Sequence, residues 1–207
     1  IVVEKVDVDH FYEIITFSKH FSQKEFIKTL TREFTEFYRL KNLPSPFHVL
    51  IIGIGNDSHT ADSLGPKVVK KIHVNAHLAD FDIHIKGNKI SALEPGVLGE
   101  TGIETRRIIE SVAEEIDPDL VILIDSLVTD HVEDLAHTIV LTDEGLTPGS
   151  GLKGLNCEIN ENTLKKPVLT IGLATALEIV LPKEKEGTIP YLMSPSSIDT
   201  FVMEMSS

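Results

Sequence analysis

Asp62 and Asp125 are the residues of this chain whose type and context best suit them to do chemistry. Asp62 lies in a glycine-bearing segment that follows an apolar run, Gly53-Ile54-Gly55-Asn56-Asp57-Ser58-His59-Thr60-Ala61-Asp62. Asp125 closes the run Leu120-Val121-Ile122-Leu123-Ile124. A carboxylate at the end of a buried strand costs folding free energy unless a partner or a function holds it there. Parallel strands end on one rim of their sheet, where the ligand sites of open α/β sheets lie, so the two can meet. Close together they share one proton near neutral pH. The ionised member can then take a proton from water while the protonated one polarises a scissile carbonyl, which is hydrolysis by paired carboxylates. Set further apart, they suit a divalent metal with a histidine as third ligand, and His59 and His131 are nearest in sequence. Asp62 also has a purely structural explanation, as N-cap of a helix entered through Ser63-Leu64-Gly65-Pro66. The two roles are compatible, because a helix N-terminus favours the carboxylate form.

The elements that must position this pair follow from the hydrophobic pattern. Residues 1–17 read as one or two short strands, with Tyr12-Glu13-Ile14-Ile15-Thr16-Phe17 the clearer one. From Ser22 the period becomes helical through Phe26, Leu30, Phe34 and Phe37, with Ser22 and Glu25 as a capping box. Leu43-Pro44-Ser45-Pro46 ends that helix as a stiff connector. Phe47 to Ile54 is a near-continuous apolar run, expected of a parallel strand covered on both faces. A helix through Val68, Val69 and Ile72 follows, then a strand at Lys89–Leu93. Thr101-Gly102-Ile103-Glu104 reads as a capping box for a helix whose inward face is Ile109, Val112, Ala113 and Ile116, broken by Asp117-Pro118-Asp119. Further expectations are strands at 120–124, around Thr138–Leu141 and at Val168–Ile171. Short helices are expected near His131–Leu135, at Ala174–Val180 and from Ser194 to Met203. This alternation predicts a three-layer α/β/α fold with a mostly parallel sheet and a short N-terminal β/α extension. It is expected to form one domain over residues 1–207, with the extension at 1–43 and the core at 47–207.

Composition narrows the function classes. A chain of 207 residues is long enough for one such domain with a sizeable core. Its net charge of −13 argues against a duplex nucleic-acid partner, since no basic phosphate-binding surface is supplied. The single Cys157 rules out an intrachain disulfide and any multi-cysteine metal site. The first residues are too charged for a signal peptide, and no apolar run reaches membrane-spanning length, so a cytoplasmic protein is expected. Gly53-Ile54-Gly55 after a strand suggests a dinucleotide loop, but Ser58 stands where the third glycine would fall and no acidic residue closes the next strand. No cofactor is expected. Glu94-Pro95-Gly96-Val97-Leu98-Gly99-Glu100-Thr101-Gly102 and Thr147-Pro148-Gly149-Ser150-Gly151 are irregular segments on the same strand-end rim. They are candidate walls of the site, with Asn56, Thr101, Gly149 and Ser150 as substrate-orienting positions.

Taken together and in order, several stretches resemble the germination proteases of endospore-forming bacteria. They are Gly53–Asn56, Asp62-Ser63-Leu64-Gly65-Pro66-Lys67-Val68-Val69, Pro95–Thr105 and Pro118–Leu127, followed by Pro148-Gly149-Ser150-Gly151 and Pro167–Gly172. The resemblance spans residues 47–175 and implies an endopeptidase that degrades small acid-soluble spore proteins. It further implies a zymogen, a homo-oligomer and two essential aspartates falling on Asp62 and Asp125. The fold is shared with hydrogenase maturation endopeptidases, which carry acidic residues at the same places and recognise nickel there. This chain departs from the family pattern at Asp57-Ser58, where Trp-Asn is usual, and at Asp130, which replaces an arginine. It departs again at Gly154-Leu155-Asn156-Cys157, which replaces a basic stretch, and at Glu94, which adds a carboxylate. A compact, diverged member is implied. A non-catalytic peptide-binding or regulatory protein on the same fold is the alternative from another class.

Overall fold

The computed structural model describes residues 1–6, 10–18, 20–81, 83–148, 158–179 and 189–192. The expected helix at 194–203, Gly149, Ser150 and Cys157 lie outside the described residues. Among the described residues no helix is long and apolar enough to cross a membrane.

The chain opens with two antiparallel strands, β1 (Val2–Lys5) and β2 (Tyr12–Thr16), in register Val3 to Ile15. The first helix, α1 (Gln23–Leu40), forms on the predicted stripe: Phe26, Leu30 and Phe37 are buried. Ser22 occupies its N-cap with extended backbone, but its side chain makes no capping bond, so the expected capping box is not formed. The burial of the aromatic stripe, not the cap, holds this helix. Then come β3 (His48–Gly53), a 3₁₀ turn at Thr60–Asp62, α2 (Leu64–Val69) and β4 (Lys89–Leu93).

The helical turn α3 (Leu98–Thr101) is stopped by Gly102 at φ 69°, and α4 (Thr105–Ile116) begins after Glu104. The Thr101–Glu104 capping box is therefore also absent, because the left-handed glycine puts Thr101 into the preceding turn. The predicted inward face of α4 is correct: Ile109 and Ala113 are buried, with Val112 and Ile116 packed beside them. The chain continues through β5 (Leu120–Thr129), a 3₁₀ turn at Val132–Asp134, β6 (Thr138–Thr142), α5 (Glu161–Leu164), β7 (Val168–Ile179) and β8 (Ile189–Leu192).

One sheet runs in the order β1-β2-β6-β7-β5-β3-β4, with β8 paired to the far end of β7. Strands β4, β3, β5 and β7 are mutually parallel, and β2 shares their direction. Strands β1, β6 and β8 run the other way. The expected mostly parallel sheet is thus observed, with antiparallel strands added on the β7 side. Alternating strand residues feed two cores. Val49, Leu120, Ile122, Ile124, Leu169 and Ile171 pack beneath α1 and α2. Leu50, Ile52, Val121, Leu123 and Val168 pack beneath α4 and α5. This is the three-layer α/β/α arrangement.

Two differences from expectation bear on the site. β5 does not stop at Ile124; it runs on to Thr129, so Asp125 lies within a strand. The stretch from Ala174 is strand, not helix, as far as Ile179. Both have one cause. The two segments supply each other's ladder partners, from Asp125–Gly172 to Thr129–Leu177, and pairing overrides the helical preference of alanine.

Candidate active site

Asp62 is placed by close packing at the ends of β3 and β5. A Cβ built on Gly65 would stand 2.3 Å from the Ile54 carbonyl oxygen and 2.6 Å from that of Ile124. One on Gly53 would stand 2.1 Å from the Gly65 oxygen. Only glycines let α2 press this closely on the two strand ends. Ile54 N–H donates to the Ile124 carbonyl at 2.8 Å, carrying the β3–β5 pairing to the rim where Asp125 follows.

The loop between β3 and α2 closes on itself. Asn56 N–H donates to the Asp62 carbonyl at 2.9 Å, and Asp62 N–H to the His59 carbonyl at 2.8 Å. Gly55 is at φ +128°, and a Cβ there would lie 2.0 Å from the Asp62 carbonyl oxygen. Asp62 ends the 3₁₀ turn, and Ser63 is the residue at the N-cap of α2, so the capping explanation of Asp62 does not hold. Ser63 is itself fully buried and donates from Oγ to the Thr60 carbonyl at 2.9 Å.

A contact that sequence reasoning missed anchors this loop. Thr175, fully buried, donates from Oγ1 to the Ala61 carbonyl at 2.6 Å. It is the extra residue where the β5–β7 register shifts, between the Leu127–Ala174 and Val128–Ala176 pairs. The bulge turns its hydroxyl onto the turn that carries Asp62. No sequence signal marked it, because the alanine-rich stretch around it reads as helix.

The electrostatics set the two carboxyls apart. Asp125, half-buried, is pushed up to about 7 by burial above all; the N–H of Ser126, donating to Oδ1 at 2.7 Å, works against this and the charge of Asp62 adds to it. The charge of Asp62 thus reaches Asp125. Asp62 is also raised, chiefly by burial; the Asn56 backbone N–H and the charge of His59 lower it, while Glu100 raises it. The larger rise falls on Asp125, so of the two it is the better proton holder. Beside Asp125, the Ser126 hydroxyl is buried without a hydrogen-bond partner among the described residues.

The supporting positions divide. Asn56 uses Oδ1 to accept from Ser58 N–H at 2.7 Å, tightening the loop. Thr101 Oγ1 is engaged in its own turn, donating towards the Val97 and Ile103 carbonyls and accepting from Ile103 N–H at 3.1 Å. The charge of Glu100, on α3, acts on Asp62. Glu94 faces Lys70 at 3.6 Å, and Lys70 also bridges to Asp57 at 2.7 Å. His59 is exposed, and His131 sits with Asp130 at 3.5 Å. Among the described residues, the group that brings three metal-ligating atoms within 4.8 Å of one another is Glu13, Glu33 and Glu36, which includes neither aspartate.

Comparisons with known proteins show the family. The profile of the family described as germination protease matches residues 14–205. The germination protease of Caldanaerobacter subterraneus subsp. tengcongensis is 40% identical over 164 residues, covering 78% of this chain and 50% of that protein. Those of Clostridium perfringens and Priestia megaterium are 42% and 36% identical, covering 67% and 76% of this chain and 44% of each relative. The chain spans about half the length of the curated relatives it matches. Among solved structures, it is similar to the [NiFe] hydrogenase maturation protease HycI from Thermococcus kodakarensis KOD1, with a TM-score of 0.46 and 14% identity. That match covers 81% of this chain and 96% of that one.

Proposed function

This chain belongs to the germination protease family, and we propose that it is an endopeptidase in which Asp62 and Asp125 are the catalytic residues. The observation that supports this reading is the Asp125 carboxyl, raised to about 7 by burial and further by the charge of Asp62. Asp62, as carboxylate, takes a proton from water as the water oxygen attacks the scissile carbonyl. Asp125 gives its proton to the carbonyl oxygen, forming a neutral tetrahedral intermediate. On collapse the carbonyl re-forms as that hydroxyl returns its proton to Asp125, and the leaving amine departs with the proton held by Asp62. Two environments that push paired carboxyls apart assign the base and the acid in this way.

Substrate is a polypeptide, and small acid-soluble spore-type proteins are the class this reading names. Asn56 and Thr101 act here as positions that shape the rim, and the Gly149–Ser150 backbone as a further one lining substrate. A zymogen that assembles as a homo-oligomer in the cytoplasm completes the proposal.

The test is cleavage of a purified small acid-soluble spore protein by the wild type, Asp62→Asn and Asp125→Asn, followed from pH 5 to 9. Wild-type activity should decline as pH rises through about 7, as Asp125 loses its proton, and each variant should lose at least about a hundredfold. Cleavage that survives either substitution, or no cleavage of any spore-type protein by the wild type, rules the reading out.

A further inference from the structure

A second carboxylate cluster lies far from the rim, between the N-terminal strands and α1. Glu13 sits in β2 on the face that also carries Phe11 and Ile15 into the core, and its side chain is 2% exposed. Glu33 on α1 meets it from the other side at 1% exposure. Glu36, one turn further along α1, is half-exposed and lines a shallow groove on that helix, which gives the cluster a path to solvent. One carboxylate oxygen from each of the three lies within 4.8 Å of the others.

Their partners do not satisfy them. Glu33 Oε1 is engaged by Arg32, but among the described residues Glu33 Oε2 and both oxygens of Glu13 are buried without a hydrogen bond. Lys5 Nζ stands 2.7 Å from Glu36 and 3.2 Å from Glu13, the second an ion pair outside hydrogen-bond geometry. Two nearly inaccessible carboxylates facing each other among apolar residues are costly unless a proton or a cation joins them, and burial and the neighbouring Glu33 raise the Glu13 carboxyl against the pull of Lys5. Nothing in paired-aspartate hydrolysis uses them.

We propose that Glu13, Glu33 and Glu36 form a binding site for a hard divalent cation of Ca²⁺ size, which ties α1 to β2. All three ligands are carboxylate oxygens, the donor set of Ca²⁺ and Mg²⁺ rather than of softer metals. Hydration decides between those two. Mg²⁺ keeps several waters, for which a site closed by two nearly inaccessible carboxylates is poorly suited, whereas Ca²⁺ accepts a shell of carboxylate oxygens in flexible geometry. Three carboxylates can supply six oxygens. The Lys5 ammonium competes for Glu13 and Glu36, and its side chain is 53% exposed, so it can swing out to solvent. A net charge of −13 favours cation capture.

Calorimetric titration of the full chain with CaCl₂ after chelation tests this, with thermal melts alongside. One saturable Ca²⁺ per chain and a raised melting temperature are expected, with Mg²⁺ binding much more weakly. Glu33→Gln should abolish binding, and the half-exposed Glu36→Gln, which leaves the core intact, should weaken it at least severalfold. Lys5→Gln should tighten it, because the competing ammonium is gone. Absence of saturable Ca²⁺ binding to the wild type, or binding unaltered in Glu36→Gln and Lys5→Gln, overturns the proposal. So does binding that Asp125→Asn removes.

Discussion

Replacing Asp125 by asparagine separates the electrostatic argument from any assay of activity. The carboxyl is raised from an ordinary value near 3.8 to about 7, chiefly by burial and further by the charge of Asp62. Between those values the unfolded chain has lost this proton while the folded chain keeps it. Stability attributable to the group therefore falls as pH rises through that window and is fully lost above about 7. At about 1.36 kcal/mol per pH unit the full effect would be about 4 kcal/mol. Asp125 is half-buried, and water on its open side screens part of this, leaving about 2 kcal/mol. Asparagine keeps the shape and carries no charge at any pH. Urea denaturation should thus find Asp125→Asn stabler than wild type by about 2 kcal/mol at pH 8, and within about 0.5 kcal/mol of it at pH 4. For a chain of this size that corresponds to a rise of about 4–8 °C in melting temperature at pH 8. Equal stability at pH 8, or the same gain at pH 4 and pH 8, would refute the claim that Asp125 is held against its preferred ionisation.

Two further substitutions probe the scaffold that brings Asp62 to Asp125. Gly65→Ala puts a methyl 2.3 Å from the Ile54 carbonyl oxygen and 2.6 Å from that of Ile124, so α2 must lift from the strand ends; denaturation midpoints should show a loss of about 3 kcal/mol or more. Thr175→Val removes the 2.6 Å bond to the Ala61 carbonyl and leaves that oxygen without this donor. It should cost about 1–3 kcal/mol and lower the cleavage rate, with Thr175→Ser recovering both; a valine variant as stable and as active as wild type would contradict the anchoring role.

The fold was largely readable because its signals are local or nearly so. The aromatic stripe from Phe26 to Phe37 required a helix with one buried face, and it formed without its cap. The strand at Lys89–Leu93 has the predicted ends. The errors lie where neighbours outvote local preference. Ala174–Ile179 carries helix-favouring alanines, yet β5 on one side and β8 on the other give it strand partners. Thr101-Gly102-Ile103-Glu104 spells a capping box, but Gly102 at positive φ ends one helical turn before the next helix starts.

For the site, residue type and position along the chain were enough to single out Asp62 and Asp125. A charge after an apolar strand is an energetic anomaly visible in one dimension. Their proximity, and which of them holds the proton, were not visible there. Those follow from how closely Gly65 of α2 rests on Gly53 and the ends of β3 and β5, and from where a bulge in β7 turns the Thr175 hydroxyl. Burial depends on every atom packed around a carboxyl, and atoms distant in sequence do that packing. Sequence alone determined which groups could react; only tertiary packing decided that burial and the charge of Asp62 raise Asp125 to about 7.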